Sequence, residues 1–326
     1  MAADRAPSKR GRLLVLGKVA VSAGLLGILF WRVDRAAFLR TIQTLPLPVF
    51  VGCLLLFVLG YFISTVRWQR LLIAESIHVS FWRLTLVYYE GAFFNLFLPT
   101  LIGGDIVRGY AIYKITGGHN ASIASILIDR LSGFAALMLI ALLSLSVAVT
   151  RMHNLGVAFM ILGVAASFGF LMAILLNDRM EDWAAGAFRL VGLARFQAKL
   201  QGLVEAIHRY RGHHRALFQA FVLSAALQTL LIVTFFFMAR GMQVAVPLAY
   251  FFVFVPLITV VSMLPVSVAG LGVREGGVIY FFALVGVDAA TSLSMSLVWF
   301  VLTVLVSSLG GLAVLINAHY AKRAAD

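Results

Sequence analysis

The first of two matching segments reads Leu98-Pro99-Thr100-Leu101-Ile102-Gly103-Gly104-Asp105-Ile106-Val107-Arg108, and the second reads Leu264-Pro265-Val266-Ser267-Val268-Ala269-Gly270-Leu271-Gly272-Val273-Arg274-Glu275. Both follow long apolar runs, and each consists of Leu-Pro, four residues, Gly, three residues and Arg. Proline interrupts a helix, glycine permits unusual backbone geometry, and an arginine at membrane depth is costly unless it is paired. Such a repeat in an apolar chain indicates a transport site.

The composition is that of an integral membrane protein. Hydrophobic residues make up 62% of the 326 residues and charged residues only 12%, with a mean hydropathy of +1.00. A soluble domain of this size cannot bury so much apolar surface. The net charge of +13 does not indicate a nucleic-acid partner, because the basic residues cluster between apolar runs, where they set topology and meet lipid headgroups.

Six apolar runs are long enough to span a bilayer. They cover residues 13–30, 49–66, 121–149, 155–176, 217–238 and 289–316. Residues 1–12 and 317–326 are basic, so we expect both termini in the cytoplasm and a multi-pass protein of the plasma (inner) membrane. The polar segment 177–215 carries seven basic against four acidic residues, which places it in the cytoplasm as well.

This topology requires that residues 84–115 dip into the membrane and return to the same side. The apolar pieces 247–264, interrupted by Pro256, and 278–287 then form a second hairpin that enters from the opposite face. The predicted fold is therefore an all-α polytopic membrane protein with one transmembrane domain, 13–316, and two re-entrant broken-helix hairpins that form an inverted repeat. Irregular backbone at this depth must be buried or line a wet cavity, so we expect the two motifs to meet at a shared site.

The polar segment 177–215 contains an amphipathic pattern. Its apolar residues recur every three or four positions, at Phe196, Leu200, Leu203, Ile207 and Tyr210. This pattern indicates a helix on the cytoplasmic membrane surface. An ordinary connector that packs one face on the membrane domain explains it better than a regulatory helix.

The two motif arginines, Arg108 and Arg274, have two readings that do not exclude each other. A guanidinium offers a rigid fork of donors that suits a phosphodiester, and a lipid phosphate drawn through hydrocarbon needs such a partner. Alternatively, each arginine pairs with a neighbouring carboxylate, Asp105 in one motif and Glu275 or another acid in the other. The arginines would then hold the hairpins together.

The remaining site candidates carry similar alternatives. Asp105, Asp129, Arg130 and Glu275 are ionisable groups in or beside apolar segments, which makes them functional candidates or members of a static ion-pair network. Adjacent helical residues point about 100° apart, which favours the static alternative for Asp129 and Arg130. The other candidates are backbone-shaping or polar residues: Pro99, Gly103, Gly104, Pro265, Gly270, Gly272 and Asn95.

These smaller residues have specific expected roles. The glycines free the backbone to turn, and their amides can hydrogen-bond a phosphate at a half-helix N-terminus. The alternative is close helix packing. For Asn95, an interhelical hydrogen bond is the favoured interpretation. Interfacial anchoring explains Arg67, Trp68 and Arg70. The sequence shows no metal, cofactor or catalytic motif, so we expect none of these.

Three motifs together resemble a known family. They comprise residues 91–108, the segment Asp129-Arg130-Leu131-Ser132-Gly133, and Pro265 with residues 270–275. Their order and spacing are similar to the flippase-like membrane domain of the lysylphosphatidylglycerol synthases, and the resemblance covers about residues 13–316. It implies movement of a lipid, usually with a charged headgroup, between leaflets. In the synthases an aminoacyl-transferase domain follows; we do not expect such a domain in this protein, and so we do not expect lipid aminoacylation.

The sequence therefore predicts a lipid flippase or translocase rather than an enzyme, with membrane lipids as its binding partners. The alternative is a membrane-embedded transferase that acts on a phospholipid or polyprenyl-phosphate in cell-envelope assembly, in which Asp105 or Glu275 would serve as an acid. A third reading is an accessory subunit. A partner enzyme that makes the lipid, and a homo-oligomer, are compatible with each of these.

The topology is tested by cysteine accessibility. Cys53 is the only cysteine, so single cysteines can be placed in 177–215 in a Cys53→Ser background. An impermeant thiol reagent should leave them unlabelled in intact cells and label them after permeabilisation, because the basic excess lies inside. Labelling in intact cells would rule out the two-hairpin topology.

Overall fold

The computed structural model describes residues 43–97, 103–116, 119–176, 204–205, 208–263 and 270–323, and in these ranges all regular structure is helical. The helices are α1 Leu47–Ala74, α2 Phe81–Phe97, α3 Gly103–Thr116, α4 His119–Leu143, α5 Leu145–Thr150, α6 Leu155–Leu176, α7 His214–Gly241, α8 Leu248–Ser262, α9 Val273–Ala283 and α10 Ala289–Arg323. The predicted first span, 13–30, and most of the polar segment 177–215 lie outside the described residues.

Five helical segments within the described ranges are long and apolar enough to cross a bilayer. They are Leu47–Ala74, Ala121–Thr150, Leu155–Ile174, His214–Gly241 and Ala289–Val314. They coincide with five of the six predicted spans and confirm an all-α polytopic membrane protein. The helix ends were less well predicted, because α1 continues through Arg67 to Ala74 and α10 continues to Arg323.

The chain forms two compact units. Unit 1 comprises Met1–Phe57, Glu90–Gly104 and Thr234–Asp326, and unit 2 comprises Val58–Tyr89 and Asp105–Val233. Helices α1, α2, α3 and α7 each contribute residues to both units. The second motif belongs to unit 1, and the first motif changes unit after Gly104.

In unit 1, helices α8 and α9 form an antiparallel hairpin. Gly270 lies at the Ser262 carbonyl and Gly277 lies against Ile258, while Phe282 stacks on Phe251 with ring centroids 5.1 Å apart. The contacts move back along α8 as the chain advances along α9. Helices of 15 and 11 residues are about 22 and 16 Å long, which is too short for a hydrocarbon core of about 30 Å.

The prediction that Pro256 interrupts this segment is wrong, because α8 continues through it. Membrane helices tolerate proline where neighbouring helices compensate for the lost hydrogen bond. Here Pro256 is buried, and two residues before it Phe254 packs against Phe282 of α9 with ring centroids 5.3 Å apart, which supports α8 on its packed side.

The first motif is flanked by a second pair of short helices, α2 and α3. In unit 1, the Gly104 amide donates to Asn95 Oδ1 at 2.7 Å. In unit 2, the Arg108 guanidinium lies 4.1 Å from the centroid of the Tyr88 ring, and Ile112 shares a buried cluster with Leu84. Contacts again run backwards along the earlier helix, as in a helical hairpin. The re-entrant course of both pairs, and their inverted relation, stay predictions.

The last residues of the polar segment 177–215 pack on unit 2. Tyr210 is fully buried in a cluster with Leu71, Ile128 and Val204, and its hydroxyl donates to the Leu71 carbonyl at 3.0 Å. Burial raises the pKa of the Tyr210 phenol, so it remains a neutral donor. The described end of the segment therefore behaves as a packed connector.

We expect Tyr210→Phe to lower the free energy of unfolding by about 1 kcal/mol, because a hydrogen bond of that order is lost and the Leu71 carbonyl is left without it. The wild-type protein holds the phenol proton more tightly when folded. Its stability should therefore fall as the pH rises above about 10, the ordinary tyrosine pKa, and the variant should lack this component. Thermal unfolding in detergent measures both the loss of stability and its pH dependence. Tyr280→Phe, at an exposed position, is the control. Equal pH profiles for Tyr210→Phe and wild type would contradict this account.

Gly104 sits where no side chain fits. A methyl group there would overlap the Gly91 carbonyl, 2.7 Å from its carbon, and would lie 2.6 Å from Asn95 Nδ2. Because backbone cannot move aside cheaply, Gly104→Ala should cost about 1–3 kcal/mol or more. Gly163→Ala on α6, with no atom within 4 Å of the added methyl, is the control and should be neutral or stabilising. Equal melting temperatures for the two variants would refute the close helix contact.

Candidate functional site

The arginine of the first motif is buried between aromatic faces. The Arg108 guanidinium lies 4.1 Å from the ring centroids of both Trp68 and Tyr88. Trp68 is itself held in place, because its indole Nε1 donates to Ser125 Oγ at 3.1 Å. A cation between two ring faces gains electrostatic stabilisation that increases when water is excluded. The arrangement fixes the plane of the guanidinium.

Two carboxylates complete the surroundings of this arginine. Arg108 Nη1 donates to Asp105 Oδ1 at 3.3 Å and Nη2 donates to Asp129 Oδ2 at 3.1 Å. The i,i+3 pair with Asp105 is one of the alternatives expected from the sequence. Asp129 comes from α4, so the arginine also ties α3 to α4.

Asp129 is shared between two arginines. Its Oδ1 accepts from Arg67 Nε on α1 at 2.6 Å, while its Oδ2 accepts from Arg108. Arg67 Nη1 also donates to Ser224 Oγ on α7 at 2.9 Å, and Ser224 Oγ donates to Ser132 Oγ at 3.2 Å. Both oxygens of the buried Asp129 carboxylate therefore accept from cationic donors. Such pairing offsets the cost of removing a carboxylate from water.

Arg130 joins the same group through Asp105. Its Nε and Nη2 both lie 2.8 Å from Asp105 Oδ2. We call the set Arg67, Arg108, Arg130, Asp105 and Asp129 the charge cluster. Asp129 and Arg130 were expected to point in different directions, and they do contact different partners. Both nevertheless belong to one network of ion pairs.

The charge cluster has an inner and an outer part. The side chains of Arg67 and Arg108 are 7% and 5% exposed, whereas that of Arg130 is 38% exposed. Arg67 lies seven residues before the end of Leu47–Ala74 and Asp129 eight residues after the start of Ala121–Thr150, which is about 10 and 12 Å along the helices. Three guanidinium groups and two carboxylates therefore sit at one depth of unit 2.

The second motif builds a smaller, electrically balanced site in unit 1. Gly270 and Gly272 adopt φ values of +76° and +83°, which glycine accepts without strain. They lead into α9, where the Gly272 amide donates to Glu275 Oε2 at 2.6 Å. Arg274 donates through Nε and Nη2 to Glu275 Oε1. Glu275 is fully buried and is thus bound by both a backbone amide and its neighbour's guanidinium.

Arg274 also contacts α10. Its Nε lies 3.3 Å from Ser296 Oγ, and its guanidinium lies 5.3 Å from the centroid of the Phe300 ring. The Arg274 side chain is 17% exposed, which is more than Arg108. The pairing of Arg274 with Glu275 is the structural alternative expected from the sequence, and the geometry leaves part of the guanidinium accessible.

In both motifs a glycine amide already has an internal acceptor. Asn95 accepts from Gly104, and Glu275 accepts from Gly272. These two amides therefore serve the backbone turn in the described structure, and their binding of a phosphate stays a prediction. Asn95 forms the expected interhelical hydrogen bond and caps α3 with it. Pro99 and Pro265 lie outside the described residues, and Gly103 begins α3.

Sequence reasoning missed three members of the unit 2 site. Arg67 and Trp68 are buried, so interfacial anchoring is the wrong explanation for them, although Arg70 is exposed as expected. The Tyr88 ring lies against the Arg108 guanidinium, a contact that the sequence analysis did not predict. Arg67 could have been identified if residues 67–74 had been predicted to continue the helix. The span then ends after Arg67 and places this arginine inside it.

Comparison with known proteins agrees with this architecture. Residues 15–311 match the family model described as the lysylphosphatidylglycerol synthase TM region. A curated protein described as a UPF0104 membrane protein, from Methanothermobacter thermautotrophicus, is 24% identical over 258 residues, which cover 72% of this chain and 73% of that protein. The family match extends over most of the chain, including both motifs and the charge cluster. The chain therefore belongs to the family of lysylphosphatidylglycerol synthase transmembrane regions.

Proposed function

We propose that this protein moves a lipid with an anionic, phosphate-bearing headgroup between the leaflets of its membrane. The observation that carries the proposal is the charge cluster, which places three arginines against two aspartates inside apolar helices. An arginine is a suitable partner for a phosphodiester because its planar fork matches two phosphate oxygens. A phosphate in hydrocarbon without such a partner would face a prohibitive desolvation cost.

The state of the carboxylates also favours translocation over chemistry. An acid-base catalyst needs a carboxylate free to exchange a proton near substrate. Asp105, Asp129 and Glu275 each accept hydrogen bonds from at least one arginine in the described structure. Carboxylates held as counterions are suited to stabilise cations that meet an anionic headgroup. The family itself is named for a lipid synthase, which agrees with a lipid as the ligand.

Reconstitution into liposomes tests the proposal directly. Purified protein is incorporated into vesicles that carry fluorescently labelled phosphatidylglycerol, and an impermeant quencher reports the fraction of label in the outer leaflet. We expect the protected half of the label to become accessible with the chemical structure of the lipid unchanged. A new lipid product would instead support the membrane-embedded transferase, and neither exchange nor product would reject the proposal.

Substitution of Arg274 separates phosphate recognition from structural pairing. Arg274→Gln should abolish exchange, and Arg274→Lys should leave part of it, because lysine keeps the charge but loses the fork. Removing the arginine alone also strands the buried Glu275 carboxylate, at a cost of roughly 3–5 kcal/mol. The double variant Arg274→Gln/Glu275→Gln should therefore recover thermal stability and still lack exchange.

The same substitutions at Arg108 provide the comparison. Arg108→Gln leaves Asp129 paired with Arg67, so we expect loss of exchange with a smaller loss of stability than at Arg274. Exchange assays and melting temperatures in detergent measure the two effects separately. Full exchange in a well-folded Arg274→Gln protein would contradict any role for this arginine in phosphate binding.

A further inference from the structure

We propose that Asp105 occupies the position of the lipid's anionic group at Arg130, and that Arg130 binds a phosphodiester when Asp105 releases it. This inference rests on the proposed function and deepens it, because it names the residue that meets the headgroup and the chemical class of the ligand. Arg108 and Arg67 are positioning residues in this scheme, since they orient the site from its buried side.

The first argument is the division of roles by exposure. Arg130 is the one cation of the charge cluster with a side chain more than a third exposed, at 38%, and Asp105 is the more exposed of the two acids, at 10% against 2%. A ligand that enters from the surface of unit 2 reaches Arg130 and Asp105 before the other members. Asp129, Arg67 and Arg108 lie behind them.

The second argument is the geometry of Asp105. Arg130 directs its Nε and Nη2 edge at one oxygen, Asp105 Oδ2, with both nitrogens at 2.8 Å. The same edge of a guanidinium binds phosphate oxygens. The other oxygen of Asp105 lies 3.3 Å from Arg108 Nη1, the longest ion pair of the cluster, whereas Asp129 holds Arg67 at 2.6 Å and Arg108 at 3.1 Å. On its buried side Asp105 is thus held by one long contact, whereas Asp129 has two shorter ones.

The third argument is the balance of charge and acceptors. Among the described residues the charge cluster carries three cations and two anions, so a single negative charge neutralises it. Arg108 Nε is also buried without a hydrogen-bond partner in the described structure, which is unfavourable for a buried donor. The set of five residues therefore has one more cation than anions, and Arg108 Nε has no acceptor among the described residues. A monoanionic phosphodiester balances that charge, and its oxygens can contact Arg130 while Asp105 turns aside.

The test measures binding rather than transport. Wild-type protein and variants in detergent are titrated calorimetrically with dihexanoyl phosphatidylglycerol, with dihexanoyl phosphatidylcholine and with inorganic phosphate. Asp105→Asn removes the competing charge but keeps the shape and leaves Arg108 paired with Asp129. We expect it to lower the Kd for dihexanoyl phosphatidylglycerol by about fivefold or more, because the lipid phosphate no longer has to displace a carboxylate from Arg130.

Variants of Arg130 supply the second measurement. Arg130→Gln should raise the Kd for dihexanoyl phosphatidylglycerol by about tenfold or more, Arg130→Lys should raise it less, and Asp105→Asn should give no gain in the Arg130→Gln background. Arg70→Gln, an exposed arginine on α1, is the matched control and should bind as the wild type does. Melting temperatures establish that each variant is folded, and Arg130→Gln remains informative if Asp105→Asn does not fold.

The outcomes separate the claims. Unchanged or weaker binding in folded Asp105→Asn, or wild-type binding in folded Arg130→Gln, overturns the proposal. Inorganic phosphate that binds as tightly as the lipid and displaces it overturns the assignment to a lipid headgroup, whereas lipid binding without such displacement supports it. Binding that follows these expectations in a protein without leaflet exchange would reject the translocase and keep the site. Leaflet exchange that is unaffected by Arg130→Gln would reject the site at Arg130 and keep the translocase.

Discussion

The ionic contacts of Asp129 determine how unit 2 is assembled. A guanidinium in an apolar helix must find an anion, and a carboxylate there must find cations. Asp129 on α4 meets Arg67 on α1 and Arg108 on α3, and Ser224 on α7 binds the free edge of Arg67. These contacts fix the depth of four helices relative to one another, because a shift of one turn would separate buried charges. The aromatic faces of Trp68 and Tyr88 then add a lateral constraint on Arg108.

The two motifs share a backbone pattern but differ in electrostatics. Each contains a glycine whose amide is bound by a side chain, Asn95 in one case and Glu275 in the other. Arg274, however, obtains its counterion from the next residue of its own helix, so its pair is neutral. Arg108 obtains its counterions partly from another helix and belongs to a cluster with an excess cation. A sequence repeat therefore need not mean two equal sites, and the positive excess is found in unit 2.

The sequence predicted those features that depend on local patterns. Apolar runs gave the five described spans, and the Pro-Gly pattern located both pairs of short helices and their arginines. The neighbouring acids Asp105 and Glu275 were correctly identified as ionic partners. Arg67 was missed because its role depends on Asp129, which lies 62 positions away, and hydropathy places a span end at the first charge. The predicted break at Pro256 was wrong for a similar reason. The contacts that support a helix come from neighbouring helices and cannot be read from the sequence of the helix itself.

A purely structural role would not require every member of the charge cluster. Buried ion pairs are poor stabilisers, and apolar residues of similar volume often replace them without loss. If the network served only to join helices, Arg67, Asp129 and a neutral partner at position 108 would suffice, with no uncompensated charge. The described residues instead hold an additional guanidinium, 38% exposed, beside a carboxylate that is 10% exposed. Lipids surround an apolar helix bundle, and we propose that their phosphates are the anions that meet this guanidinium.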